Sequence, residues 1–142
     1  MNMGPPPVSP REACIVQAAA RYGAQPDIVR ALIKTEGGVT GKVSWNRNGS
    51  YDMGLMQINS INLPEMARYG ISGSMLINNE CLNIFIGTFL LQRNILQTGN
   101  FWYGVGSYHS KTPAKNIAYQ YRVWNQLQKI QYQRMSFQGV LP

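Results

Sequence analysis

Residues 26–38 read PDIVRALIKTEGG, an apolar helical segment that closes with a glutamate and two glycines. Pro26 is typical of a first helical turn, and Gly37 is typical of the position just after a helix. A step of seven residues places Glu36 on the same stripe of the helix as the apolar Val29. The pattern therefore predicts a helix from Pro26 to Glu36 whose last carboxyl group faces the core.

The end of a helix is an unfavourable place for a negative charge. Unpaired carbonyl groups and the negative end of the helix dipole lie there, so burial and dipole both oppose ionisation of Glu36. We expect its pKa to be raised toward neutrality, as a general acid requires. The alternative is a solvent-facing glutamate that is tolerated at the helix end.

Most of the other acidic residues lie where a negative charge is favourable, unlike Glu36. The chain has six of them, and four fit the first turn of a predicted helix, where a negative charge is favourable: Glu12, Asp27, Glu65 and Glu80. Glu12 also completes a capping-box pattern with Ser9. Only Glu36 and Asp52 are left without such an explanation.

Composition limits the class of protein. A chain of 142 residues with 44% hydrophobic residues fits one domain with its own core. The net charge of +7 suits a polyanionic partner such as an acidic glycan, a nucleic acid or an anionic membrane surface. The basic residues are scattered singly, which argues against nucleic acid. The longest apolar stretch, residues 82–96, is too short and too polar to insert into a membrane.

Cys14 and Cys81 are the only cysteines, and no Cys or His pair has the spacing of a metal site, so we predict neither metal nor cofactor. The two cysteines could form a disulfide if their helices pack together, which would indicate the periplasm or the cell exterior. Two buried free thiols are the alternative. No signal peptide is visible in the proline-rich first ten residues, so it was removed or the protein is exported by another route.

Helix and turn signals predict a mainly α fold with a small β-hairpin. Asn48-Gly49 indicates a type I′ turn between strands near Trp45 and Tyr51. We divide the chain into a flexible arm (1–8), one domain (9–132) and a tail (133–142). Besides Pro26–Glu36, the predicted helices span residues 9–22, 64–69, 78–97, 101–108 and 113–132.

Residues 46–60 read NRNGSYDMGLMQINS. With Glu36-Gly37-Gly38, this stretch resembles the lysozyme-like lytic transglycosylases of the SLT family, in particular the small ones that accompany secretion, conjugation and pilus machines. That family has a helix-ending Glu-Ser-Gly followed by Gly-Leu-Met-Gln. The stretch is also similar to animal-type lysozyme. Tyr108 falls where the family has its Ala-Tyr-Asn motif, Tyr119 matches its late tyrosine, and the two cysteines resemble the pair of the secretion-associated members.

The resemblance implies a single-domain lysozyme-like α+β fold and an activity on peptidoglycan glycan strands. Glu36 would act as acid and then as base in cleaving the MurNAc-GlcNAc β-1,4 bond with 1,6-anhydro-MurNAc formation, and Tyr119 would orient it. The implied setting is local wall opening for a secretion, conjugation or pilus system, in the periplasm or exported to the cell envelope. The implied substrate-binding residues are Gln57, Asn59, Ser50, Tyr108 and Met56.

Simpler structural roles stay open for several of these residues. Tyr119 could be core packing beside Trp124 and Leu127, and Gln57 and Asn59 could only satisfy buried backbone groups. The aromatic residues Trp45, Tyr51, Trp102 and Tyr103 could face sugar rings or belong to the core. Gly37 replaces the serine of the family and His109-Ser110 replaces Asn-Ala. We interpret His109 as a residue lining a loop or groove, not as a general base.

Asp52 departs from the pattern of the resembled family. Most lytic transglycosylases lack a carboxylate at this position, while lysozyme uses one. Across a cleft from Glu36, it would stabilise an oxocarbenium-like transition state and keep Glu36 protonated. Alternatively, it fastens the hairpin by hydrogen bonds. Two rival functions follow: a lysozyme-type hydrolase that uses Asp52 and water, and a glycan-binding module without catalysis.

Overall fold

The computed structural model describes Gly4 and residues 7–139, and the expected class, mainly α with a small β element, is confirmed. Much of the predicted arm (1–8) and the last three residues of the predicted tail lie outside the described residues. The helices are α1 Pro10–Tyr22, α2 Pro26–Glu36, α3 Leu63–Ala67, α4 Gly73–Asn78, α5 Glu80–Thr98, α6 Phe101–Ser107 and α7 Pro113–Phe137. The strands are β1 Val43–Trp45, β2 Tyr51–Met53 and β3 Ile58–Asn59, followed by a 3₁₀ turn at Ser60–Asn62.

Polar side chains cap the helices where the sequence predicts their starts. Ser9 accepts a hydrogen bond from the backbone N–H of Glu12, and Asn79 accepts one from Leu82. The α2 helix runs from Pro26 to Glu36 as predicted and ends at Gly37, whose φ of 63° is left-handed. Glycine adopts this conformation without the steric cost that a Cβ atom would bring.

Two helices differ from the prediction. The sequence gives no strong signal for α4, which begins after Ser72, whose hydroxyl accepts from the N–H of Met75. The α7 helix continues to Phe137, past the predicted end at residue 132. No glycine or proline interrupts the chain between Pro113 and Gly139, so nothing in the sequence breaks the helix earlier.

The sheet has three antiparallel strands in the order β1-β2-β3, one more than the predicted hairpin. The predicted type I′ turn is wrong, because that turn needs positive φ at two central residues. Among the described non-glycine residues only Gln57 has positive φ, so Asn48 does not. Gly49 alone is left-handed, with φ 86°, and the Asn46 N–H donates to the Ser50 carbonyl at 2.9 Å. This arrangement is a three-residue loop ending in a left-handed glycine.

Two buried clusters meet at α5. The first joins α1, α2, α5 and α7 through side chains that include Leu32, Leu91 and Tyr119. The second lies between the sheet and α4–α5 and includes Met53, Ile58 and Leu76. The position of α5 between the two clusters explains why it is apolar on most sides.

The disulfide expected from the two cysteines is present in the structure. Cys14 of α1 and Cys81 of α5 are joined, with their Cα atoms 5.5 Å apart. In the chain-entropy model, a bridge over a separation of 67 residues stabilises the fold by about 4 kcal/mol. None of the described helices is long and apolar enough to cross a membrane.

Candidate active site

A polar cleft of about 630 Å³ brings the end of α2 together with the sheet and with the start of α7. The sheet side contributes amide, hydroxyl and carboxylate groups from Asn46, Ser50, Asp52 and Asn59. The end of α6 and the segment after it contribute Ser107, Tyr108, His109, Ser110, Lys111 and Lys115. Glu36 also lines the cleft, so its carboxyl group can reach a bound molecule.

Glu36 accepts a short hydrogen bond at the end of α2. The hydroxyl of Tyr119 donates to its Oε2 at 2.5 Å. Burial raises the pKa of Glu36 to about 7; the hydrogen bond from Tyr119 and the charge of Arg122 work against this rise, and the charge of Asp52 adds to it. Near neutral pH, this side chain therefore exists in both protonated and ionised forms, as a group that acts first as acid and then as base requires.

Two neighbours hold the ring of Tyr119, which is only 1% exposed. The imidazole of His109 stacks on the ring, with centroids 5.0 Å apart and planes 10° from parallel. The guanidinium carbon of Arg122 lies 5.2 Å from the ring centroid, within cation–π range. Burial and the negative charge of Glu36 raise the pKa of Tyr119, so its hydroxyl stays protonated and remains a donor.

His109 lines the cleft, as predicted from the sequence. Its pKa is lowered from the ordinary histidine value, first by burial and then by the charge of Arg122. The imidazole is therefore neutral at pH 7. Trp124, a suggested packing neighbour of Tyr119, is 45% exposed, whereas Leu127 does pack against the first core cluster.

Asp52 lies in the middle strand of the sheet and is held by amide groups on both sides. Its Oδ1 accepts from Asn59 Nδ2 at 2.9 Å, and its Oδ2 accepts from Asn46 Nδ2 at 3.2 Å. The hydroxyl of Ser50 accepts from the same two amides. Asp52 thus fastens the hairpin by hydrogen bonds. It also lines the cleft, where its charge raises the pKa of Glu36.

One buried side chain that was not predicted from the sequence shapes the loop between β2 and β3. Asn83 of α5 is 1% exposed, and its amide nitrogen donates to the carbonyls of Met53 and Leu76, both at 2.9 Å. Its Oδ1 accepts from the N–H of Met56 at 2.8 Å. A polar residue in an apolar helix is the signal that could have pointed to it, because a buried amide needs partners.

The same loop packs tightly against the residues that follow Glu36. A Cβ atom on Gly38 would lie 2.1 Å from the carbonyl oxygen of Gly54 and 2.5 Å from that of Leu55. Any side chain at position 38 would push the loop away from the end of α2. The second glycine after Glu36 therefore allows the sheet side of the cleft to approach the carboxyl group.

Most of the predicted substrate-binding residues lie in the cleft: Ser50, Gln57, Asn59 and Tyr108. Gln57 has a φ of 53°, uncommon for a residue with a side chain, and its amide donates to the carbonyl of Gly54 at 2.9 Å. Tyr108 donates to the carbonyl of Met56 at 2.6 Å. The assignment of Met56 as a substrate contact is corrected, because its side chain is 0% exposed and packs against Gly87.

Other cleft residues were not predicted. Four of them are cationic or amide side chains that stand in no motif: Arg93, Asn94, Lys111 and Lys115. The four aromatic residues suggested as sugar platforms, Trp45, Tyr51, Trp102 and Tyr103, are not among the described residues that line this cleft. Trp45 and Tyr51 pack on each other with ring centroids 4.8 Å apart.

Comparison with known proteins gives a consistent result. Residues 13–130 match the family model described as the transglycosylase SLT domain. Invasion protein IagB of Salmonella typhimurium is 29% identical over 122 residues, covering 82% of this chain and 76% of IagB. Protein IpgF of Shigella flexneri is 33% identical over 106 residues (74% and 70% of the two chains), and the X polypeptide of Escherichia coli is 33% identical over 107 residues (72% and 63%).

Proposed function

Because the chain belongs to the transglycosylase SLT domain family and is a lytic transglycosylase, we propose that it cleaves the MurNAc-GlcNAc β-1,4 bond of peptidoglycan and leaves a 1,6-anhydro-MurNAc end. The observation that carries this proposal is Glu36, a cleft-lining carboxyl group with a pKa of about 7 that accepts a hydrogen bond from Tyr119. One group that can hold and release a proton near neutral pH suffices for both steps of the reaction.

In the first step, protonated Glu36 donates its proton to the glycosidic oxygen, and the bond from that oxygen to C1 of MurNAc breaks. Positive charge develops at C1 as the leaving sugar departs. The carboxylate of Asp52, held by Asn46 and Asn59, supplies negative charge in the same cleft. It stabilises this oxocarbenium-like state through space.

In the second step, Glu36 is a carboxylate and takes the proton from the C6 hydroxyl of the same MurNAc unit as that oxygen attacks C1. A bond between O6 and C1 forms, the proton returns to Glu36, and no water is consumed. The Tyr119 hydroxyl, which donates to Oε2, stabilises the ionised form between the two steps. Tyr119 is a positioning residue in this scheme.

One observation favours a second candidate, which is hydrolysis of lysozyme type. Asp52 lines the cleft together with Glu36, and retaining glycosidases generally use two carboxyl groups that flank the bond they cleave. In that reaction Asp52 supports the intermediate and water replaces the C6 hydroxyl. The product would be a reducing MurNAc end.

Product analysis distinguishes the two reactions. Purified protein is incubated with sacculi, and the released muropeptides are analysed by mass spectrometry. Transglycosylation gives anhydro-MurNAc ends, which are lighter by one water (about 18 Da) than reducing ends. Reducing ends alone would refute the proposed reaction and support the hydrolase.

We also propose that the protein opens the wall locally for a secretion, conjugation or pilus apparatus in the cell envelope. The name of one relative, invasion protein IagB of Salmonella typhimurium, supports this setting. The Cys14–Cys81 disulfide supports an oxidising compartment such as the periplasm. Assembly of the apparatus should fail when the gene is replaced by Glu36→Gln; normal assembly in that strain would refute the role.

A further inference from the structure

Lys111 and Lys115 bring two positive charges to the wall of the cleft, just before α7 and in its first turn. Both side chains are exposed. Lys115 lies close enough to His109 for its charge to lower the pKa of that imidazole. Within the described part of the chain, neither lysine side chain has an ion pair or a hydrogen bond, so these two charges are without a counter-ion.

Arg93, another cation of the cleft, is already paired. Its Nη1 donates to Glu65 Oε2 at 2.6 Å, and its guanidinium carbon lies 5.2 Å from the ring centroid of Phe89. A bound anion would have to compete with Glu65 for this guanidinium. The ammonium groups of Lys111 and Lys115 have no such competitor among the described residues.

The two lysines do not stabilise the helix that begins beside them. The start of a helix is the positive end of its dipole, so a cation there is unfavourable. The first turn of α7 contains no acidic residue that would balance Lys115, whereas the first turns of α1, α2, α3 and α5 each contain one. An anionic group on a ligand in the cleft would offset this unfavourable position.

Peptidoglycan offers such a group on every second sugar. MurNAc differs from GlcNAc by a lactyl group on O3 that ends in a carboxyl group. In glycan stripped of its peptides this group is a free carboxylate. In peptide-bearing glycan it is an amide, and the peptide stem brings further carboxylates. Either source places negative charge on the side chain of MurNAc, whereas a glycan of GlcNAc alone carries none.

We propose that Lys111 and Lys115 form a subsite that binds a carboxylate of the MurNAc side chain. Glu36 and Asp52 reach the cleft from α2 and β2, whereas the lysines reach it from the start of α7. Because cations and carboxyl groups come from different elements, the cleft favours the orientation of the glycan that brings the MurNAc side chain to the lysines. The subsite rests on the proposed function, since it requires that the cleft bind peptidoglycan.

The binding test uses the full chain with Glu36→Gln, which should bind glycan without cleaving it. Tetrasaccharides of alternating GlcNAc and MurNAc form two matched pairs. One pair is free of peptide, and its lactyl groups end in carboxylates or in carboxamides. The other pair carries peptide stems whose carboxyl groups are free or amidated. Titration calorimetry gives Kd for each ligand.

We expect the charged member of a pair to bind about fivefold more tightly than its uncharged partner, as two exposed ion pairs would give. Salt at about 0.5 M should remove this preference, because it screens exposed charges. A preference in the peptide-free pair identifies the lactyl carboxylate as the ligand. A preference in the peptide-bearing pair alone identifies the carboxylates of the stem. Equal Kd values within both pairs would overturn the subsite.

Variants connect the preference to the two lysines. Lys111→Gln with Lys115→Gln should abolish it and leave the Kd of the uncharged ligands unchanged. Lys129→Gln is the matched control, because Lys129 is an exposed lysine of α7 that does not line the cleft. A preference that survives the double substitution would overturn the subsite. Its loss in Lys129→Gln would also do so, since the effect would then follow net charge and not position.

The subsite and the proposed reaction fail in different ways. Equal Kd values within both pairs would remove the subsite and leave the proposed cleavage intact. Absence of binding to all of the tetrasaccharides would contradict the subsite and the binding of peptidoglycan together. Reducing MurNAc ends in the product analysis would refute the proposed reaction, whereas the preference for charged glycan would remain.

Discussion

The end of α2 and the three-stranded sheet each present one carboxyl group to the same cleft, but they hold it in different ways. Glu36 is partly buried at a helix end and accepts one short hydrogen bond from Tyr119. Asp52 lies in a strand and accepts hydrogen bonds from two amide side chains. The surroundings of Glu36 let it exchange a proton near neutral pH, whereas the two amides beside Asp52 hold its carboxyl group in place.

The largest effect is expected from Glu36→Gln, which keeps the size of the side chain and an acceptor for Tyr119 but removes the exchangeable proton. We expect release of muropeptides from sacculi to fall by about 10³-fold. Glu12→Gln is the matched control, because Glu12 pairs with Arg30 and does not line the cleft. Substantial activity in Glu36→Gln would remove Glu36 from the mechanism.

Asp52→Asn should reduce the rate by about 10²-fold, because it removes a charge that stabilises the transition state. Loss of this charge should also lower the pKa of Glu36, which Asp52 raises. Asn46→Ala gives the complementary variant, since it removes one hydrogen bond of Asp52 but keeps the charge. Two results together would leave Asp52 with only the hairpin role. Asn46→Ala would be as inactive as Asp52→Asn, and Asp52→Asn would leave the pKa of Glu36 unchanged.

The rate should depend on pH through Glu36. Because the first step needs the protonated form, kcat/KM should be constant well below pH 7 and should fall about tenfold for each pH unit above it, following the pKa of about 7. A series of rates on soluble glycan fragments from pH 5 to pH 9 measures this limb. A decline that begins near pH 4.5, where an ordinary glutamate ionises, would contradict the role of burial.

Tyr119→Phe should lower the rate by about tenfold, because the ionised form of Glu36 loses a charge-assisted hydrogen bond. Since that bond lowers the pKa of Glu36, its loss should move the falling limb of the pH profile upward. The pKa of Glu36 should therefore rise in Tyr119→Phe and fall in Asp52→Asn. These opposite shifts distinguish the effect of the hydrogen bond at the end of α2 from the effect of the charge on the sheet. Tyr132→Phe, on the exposed side of α7, should change neither quantity.

The smallest effect concerns stability. The pKa of Glu36 is raised in the folded protein, so its favourable contribution is complete below the unfolded pKa of about 4.5 and is lost as pH rises through about 7. Glu36→Gln should therefore melt about 3–5 °C above wild type at pH 8, a difference of about 1 kcal/mol, and at the same temperature at pH 4. Thermal unfolding followed by circular dichroism at the two pH values measures this. Equal melting at pH 8 would indicate that the ionised carboxylate is well solvated.

Local signals in the sequence predict much of the fold, because they act within a few residues. Ser9, Asn79 and Gly37 mark helix ends by hydrogen bonding or by backbone conformation, and the structure uses each of them in this way. The type I′ prediction failed at Asn48, whose Oδ1 accepts from the N–H of Ser50 in a longer loop with only Gly49 left-handed. The two-residue strand β3 has no pattern that a sequence could reveal.

In the candidate site, too, the residues that stand in short motifs were predicted and those that depend on packing were not. The resemblance identifies Glu36 and the cleft residues Gln57 and Asn59, which stand in short motifs. The stack of His109 on Tyr119 depends on how α7 packs beside the end of α6, which no local pattern specifies. Met56 lies in the middle of a motif but is buried. The motif alone therefore did not show which of its residues face the cleft and which pack in the core.

The amide of Asn83 reaches the backbone of three residues, Met53, Met56 and Leu76, from inside the protein. The course of the loop between β2 and β3 is thus fixed from its buried side by a residue of α5 that does not line the cleft. Protein engineers who wish to alter glycan preference could exchange cleft side chains that do not hold Asp52, such as Asn94 or Lys111, while the loop keeps its path. A change at Asn83 would instead remove these three backbone contacts at once.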